Sequence, residues 1–375
     1  MANAAAKVAD SMTKHGIDLL RVEAALRDGV LSRLNGLELE LVKKIKRIEP
    51  SAPSQLRYRN IRIEQLVEAA NDSFGRVYSD IDEELEAELT ELVRTESKSV
   101  VKTLAAILGA AVAINVLTKV QARDLVRQTL IEGAQGTRWW RKQDTQMRFE
   151  FERKIREAAV AGETTASLID RVKGTRTAGF SDGAMALARR NANTLARTAF
   201  TAAVNMARME TYKANADIIR GVQWMAILDN RTSDICKALD GQAWTLDGAK
   251  LPGTVHDFQG PPPAHFNCRS TLIPVLKSWS DLNKSSSREV RRRLKRANLS
   301  HPVRTSLDGK ISEDMTYEQW LAQKDSKNPQ MVKKILGPSK YTLWKEDKMT
   351  FTDLIDQSWN PLTVAELKKK VNRRR

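Results

Sequence analysis

Apolar residues recur at steps of three and four over residues 17–49: Leu19, Val22, Leu26, Val30, Leu34, Leu37, Leu41, Ile45 and Ile48. That interval keeps one face of a helix apolar. Gly29 and Gly36 weaken the helix without breaking it, and Pro50 and Pro53 end it, because proline has no amide to donate. A second helix is expected over 61–97. Leu66, Phe74, Val77, Ile81, Leu85 and Leu92 line one face, while Asp80, Asp82, Glu83, Glu84, Glu86, Glu88 and Glu91 crowd the other. A solvated face accounts for the acidic run; docking of a basic partner is the sharper reading. The Ala-rich stretch 104–117 is too short to span a bilayer, which needs about 20 apolar residues, and reads as a buried helix.

Further helices are expected at 120–132, at 143–161, at 163–172 with Thr164 or Thr165 as cap, and at 182–216, with a flexible connection at 174–183. In the last of these helices Leu195, Ala199, Ala202, Met206 and Met209 form a narrow seam of small and flexible side chains, which lets a neighbour approach closely. The pattern changes at Gly221. VQWMAI and STLIPV read as strands around a loop-rich stretch containing Gly260-Pro261-Pro262-Pro263. A Ser-rich linker then enters a basic helix at 285–296. Short helices follow at 316–323 and 328–335, and a final one begins at Thr363. The expected fold is mainly α: long helices with a small, irregular α/β knuckle domain. Its regions are 1–130, 131–220, 221–275 and 276–375.

Composition supports long helices. Gly (18) and Pro (11) are scarce among 375 residues, and aromatics are only 6%, which disfavours an all-β sandwich or barrel. The net charge of +16 favours polyanionic or acidic partners and says nothing of fold. Two cysteines exclude a disulfide scaffold. The opening MANAAAKVADSMTKHG lacks an apolar core, so no signal peptide is expected, and the chain is expected to be soluble and intracellular when made.

Cys236, His265 and Cys268 are the unusual constellation. Both cysteines and two of the four histidines fall within 236–268, and His265 and Cys268 have H-x-x-C spacing. Soft and borderline ligands at that spacing suit zinc, with His256 or Asp229 as candidate fourth ligand. The same residues also read as a packed knuckle with close thiols, or as a disulfide. A Cys236 nucleophile with His265 as base matches residue types only. Arg288, Arg291, Arg292, Arg293, Lys295 and Arg296, together with 368–375, form basic strips able to neutralise phosphates without reading bases.

GVQWMAILDNRTSDICKALDGQAW, followed by PPPAHFNCRSTLIPV, resembles the signature of phage head morphogenesis proteins, the minor head proteins similar to protein F of phage Mu. Asp229, Arg231, Thr232, Cys236, Gly241, His265, Asn267, Cys268 and Arg269 carry the match. The helix ARTAFTAAVNMARMETYKANADII adds Arg197, Thr198, Asn205 and Arg208, and the likeness extends over about 130–370. Many members carry a second Cys in each half, where this chain has Ser233 and Ser270, and a hydroxyl is a poor zinc ligand. The resemblance implies a structural virion component, in the capsid interior or near the portal after assembly in the host cytoplasm. It implies no catalysis. Implied partners are the portal, other capsid or scaffold proteins and packaged double-stranded DNA, with no membrane; the cofactor reading is none, or zinc at the cluster. Competing readings are a metal-dependent enzyme acting on nucleic acid or peptide through Cys236, His265 and Cys268, and a membrane-active ejection protein using 104–117.

Overall fold

The computed structural model describes residues 2–47, 56–108, 116–277, 303–306, 309–312 and 315–372. The protein is mainly α with small strand regions. Helix α1 (Ala2–Lys46) and helix α2 (Leu56–Leu108) both exceed their expected lengths. Leu26, Leu34, Leu37, Leu41 and Ile45 are buried along α1, as the spacing requires. Val22 is 46% exposed, because it lies at the edge of that stripe; Ile48 falls outside the described residues. On α2 every expected apolar position from Leu66 to Leu92 is buried. The Ala-rich stretch is not one separate element: 104–108 continue α2, and 109–115 lie outside the described residues. Among the described residues no helix is long and apolar enough to cross a membrane.

Helix α3 (Lys119–Gln128) leads into a hairpin of β1 (Leu130–Ile131) and β2 (Ala134–Gln135). Its turn residues Glu132 and Gly133 both have positive φ, the geometry of a two-residue hairpin. Helix α4 (Gly136–Val160) follows, then α5 (Thr165–Lys173), whose cap Thr164 accepts from the Ser167 amide at 3.2 Å. Helix α6 (Ala184–Ala214) is the third long helix. It is buried on more than a seam: Ala192, Ala196, Ala203 and Ala207 are covered as fully as Leu195, Ala199, Ala202 and Met209.

The chain divides into two compact units, neither contiguous in sequence. One comprises 20–91 and 126–200. Here α2 meets α4 through Phe74 and Phe151 at 5.6 Å, edge to face, and through Tyr78 and Trp140 at 6.4 Å. Part of the acidic face of α2 is answered within this unit, since Arg33 pairs with Glu84 and Arg127 with Glu86.

The other unit comprises 1–19, 92–125 and 201–375. Its centre is an antiparallel sheet of order β4–β3–β5, built from β3 (Ile219–Met225), β4 (Ala243–Thr245) and β5 (Thr271–Leu276). Val222 pairs with Trp244 on one side and Pro274 on the other. Gly221 is required: a Cβ there would sit 2.0 Å from the Trp244 carbonyl oxygen. Helix α7 (Asp234–Leu239) stands between β3 and β4. A second hairpin pairs β6 (Val303–Ser306) with β7 (Gly309–Ser312). Helices α8 (Tyr317–Lys327), α9 (Pro329–Leu336), α10 (Pro338–Lys345) and α11 (Val364–Asn372) complete the unit, with a 3-10 turn at Phe351–Leu354. They share one core with the sheet. Trp359 lies 5.4 Å from Trp224 and 6.4 Å from Trp244, and Tyr317 lies 5.8 Å from Phe351.

Candidate functional site

Ser233 begins the site. As N-cap of α7 its hydroxyl accepts from the Cys236 amide at 3.2 Å, which fixes the cysteine in the first helical turn. The other half is a tight turn. The Cys268 amide donates to the His265 carbonyl at 3.1 Å, and Asn267 takes a φ of 60°, a region asparagine tolerates better than most side chains. The turn brings His265 and Cys268 together against α7. Cys236 Sγ lies 3.2 Å from His265 Nε2 and 3.7 Å from Cys268 Sγ, and Ser233 Oγ lies 2.8 Å from the same Nε2. The three ligating atoms lie within 4.8 Å of one another.

His265 Nδ1 lies 2.8 Å from the Phe266 carbonyl oxygen. A carbonyl only accepts, so Nδ1 carries a proton and Nε2 presents its lone pair in the neutral ring. The two thiols are inequivalent. Hydrogen bonding from Cys236 draws the Cys268 thiol well below its usual range, with His265 and the Ala264 amide acting alike against burial. The same bond, reinforced by burial, pushes Cys236 up.

An ionic frame surrounds the turn. Arg269 grips Asp229 with both arms, at 2.6 and 2.8 Å. Asp229 Oδ1 also accepts from the Arg231 amide at 3.0 Å and from the Thr232 hydroxyl at 3.1 Å. Tyr317 of α8 donates its hydroxyl to the Asp229 carbonyl at 2.6 Å. Asp240, at the end of α7, accepts from the Ala226 amide at 2.8 Å and the Tyr317 amide at 2.7 Å. Asp229 is thus committed to Arg269. His256 is committed elsewhere, its Nε2 lying 2.7 Å from the Thr352 carbonyl. Among the described residues, neither joins the three-atom group.

The C-terminal half of α6 clasps β5. Asn205 Oδ1 accepts from the Leu272 amide at 2.9 Å and the Thr271 hydroxyl at 3.0 Å, so its amide acts as a neighbouring strand would. Arg208, fully buried, bonds Glu96 of α2 at 2.6 Å and also reaches Thr271. Thr201 donates to the Cys268 carbonyl at 3.0 Å, tying the helix directly to the cysteine turn.

Residues 149–273, from within α4 to within β5, match the family model described as Phage Mu protein F like protein. This segment is similar to that family. It is a third of the chain, and the similarity is to the family to which the sequence motifs pointed. None of the curated proteins and none of the solved structures compared matches the chain.

Within the Mu F-like segment, Asn205, Arg208, Asp229, Thr232, Cys236, His265, Cys268 and Arg269 meet in one interlocked body. Gly241 provides the turn from α7 to β4 with a φ of 81°. Arg231 carries an exposed side chain. Arg197 and Thr198 lie in the other unit, where Arg197 bonds Glu23 at 2.9 Å and Thr198 caps the Thr194 carbonyl at 2.7 Å. Arg288, Arg291, Arg292, Arg293, Lys295 and Arg296 lie outside the described residues. In the C-terminal strip Lys368 and Lys369 are exposed, whereas Lys370 pairs with Asp353 at 3.1 Å. Sequence reasoning placed Asp240 beside the constellation without its role and missed Tyr317 and Glu96 as partners of the motif. Glu96 left a signal: it is an acid on the apolar stripe between Leu92 and Val100, where only a buried counter-charge makes it tolerable.

Proposed function

We propose that this protein is a structural minor head protein of a phage, which joins the procapsid near the portal and contacts packaged DNA through its basic segments. The observation that supports this reading is the Mu F-like match itself, taken with the use to which the matched motif is put. Asp229, Thr232, Asp240 and Arg269 direct their polar groups at one another and at backbone, so the motif's chemistry holds a body together. An assembly component needs such a rigid body, and its partners meet surfaces outside the motif. The net charge of +16 supplies the attraction to DNA, and Lys368 and Lys369 present it at an exposed helix end.

Co-expression of the tagged chain with the portal protein of the same phage provides the test. The two are expected to co-elute, and the chain is expected in purified procapsids. Separate elution, with the chain missing from procapsids, overturns the reading.

A further inference from the structure

We propose that Cys236, His265 and Cys268 bind one divalent cation of the zinc class, which locks helix α7 to the 264–268 turn. The distances match those of a tetrahedral site. Around a tetrahedral zinc with Zn–S near 2.3 Å and Zn–N near 2.0–2.1 Å, two sulfurs stand about 3.8 Å apart, and sulfur and nitrogen about 3.5 Å. The protein holds Cys236 Sγ 3.7 Å from Cys268 Sγ and 3.2 Å from His265 Nε2. These edges are set by a capped helix and a backbone-bonded turn, each fixed by its own hydrogen bonds.

The surroundings fit a metal-bound thiolate pair. Donation from His265 Nδ1 to the Phe266 carbonyl orients the ring and aims the Nε2 lone pair at the cysteines, the usual support of a ligating histidine. On the other side of the pair, the Cys268 backbone is held by its amide on the His265 carbonyl and by Thr201 on its own carbonyl. Two thiolates neutralise a dication, which suits a site where both cysteines are buried. Arg269 next door is already balanced by Asp229, so no excess positive charge opposes the metal. The Ser233 hydroxyl, 2.8 Å from Nε2, already accepts from the Cys236 amide and is a poor zinc ligand, so a water takes the fourth position. Three strong protein ligands with a weak fourth define the site. The proposal does not depend on the head-protein reading, since a metal lock would serve any function of this fold.

The test uses the full chain purified without chelator. Elemental analysis is expected to find close to one zinc per chain. Replacing zinc by cobalt(II) should give thiolate-to-cobalt charge-transfer absorption that weakens in Cys236→Ser and again in Cys268→Ser. His265→Ala should bind at least tenfold more weakly, since loss of a mere supporting group already costs about 10–100-fold. Ser233→Cys, which supplies a fourth thiolate, should bind more tightly, and it guards against the case in which the other variants fail to fold. Thiol titration after denaturation separates the alternatives. Reduced thiols in a metal-free protein that yields no cobalt absorption overturn the proposal, and so does a Cys236–Cys268 disulfide without metal.

Discussion

Asp229 shows how one carboxylate anchors the site. Burial alone would raise its proton affinity, but Arg269, the Arg231 amide and the Thr232 hydroxyl outweigh that and hold it below the ordinary aspartate value of 3.8. A carboxyl depressed on folding contributes stability that is fully present above its unfolded value and lost as pH falls through its folded one. The body around the cysteine turn is therefore expected to hold its stability down to about pH 4 and to lose the Asp229 contribution below that. Asp229→Asn removes the charge at every pH and leaves Arg269 partly buried without its partner, at a cost of about 3–5 kcal/mol. Urea unfolding at pH 7 and pH 3 measures both effects. If the wild-type and Asp229→Asn proteins differ as much at pH 3 as at pH 7, the carboxylate charge is not the cause. Spacing alone had grouped Cys236, His265 and Cys268. It had also offered Asp229 and His256 as fourth ligands, because spacing carries no information about where Arg269 and the Thr352 carbonyl would stand.

The elements divide by length in how plainly the chain announces them. Helices α1, α2, α4 and α6 repeat their apolar steps over many turns, so periodicity locates them, though not their ends. Strands β1, β2 and β4 are two or three residues long, too short for alternation to register. Helix α10 was hidden for another reason: Gly337-Pro338 reads as a break, yet proline at the first helical position costs nothing because that amide has no helical acceptor. Composition misled in α6, where alanines suggested a narrow seam and the helix is covered around most of its girth. That breadth sharpens two expectations. Ala202, 1% exposed, has no room for three extra heavy atoms, so Ala202→Leu should destabilise by about 1–3 kcal/mol. Asn205→Leu deprives the Leu272 amide of its acceptor in a buried setting, at about 1–3 kcal/mol. Denaturant midpoints of the two variants check the pair. A midpoint unmoved by Ala202→Leu would show slack along α6, and one unmoved by Asn205→Leu would show that the β5 clasp is dispensable.

At the scale of the whole molecule the positive charge is unevenly placed. Residues 278–302 carry seven basic side chains against two acidic ones, about a third of the net +16 in 25 residues. Much of the remaining charge is answered locally, as in the pairs of Arg33 with Glu84, Arg156 with Glu64 and Arg171 with Glu163. A polyanion is therefore expected to be drawn chiefly to Arg288–Arg296 and to the exposed lysines of α11. Contacts to phosphate alone release counterions without reading sequence, so log affinity should fall linearly with log salt at about 0.9 per phosphate neutralised. Replacing Arg291, Arg292, Arg293 and Arg296 with Ala should reduce that slope by up to about 4 and leave sequence preference unchanged. A salt titration of duplex binding, with intact and substituted protein and two unrelated DNA sequences, reads both quantities. An unaltered slope means that these arginines do not meet the phosphates. If that same variant also fails to enter procapsids, the strip serves instead as a docking surface for an acidic protein, where loss of incorporation without loss of DNA affinity is the distinguishing result.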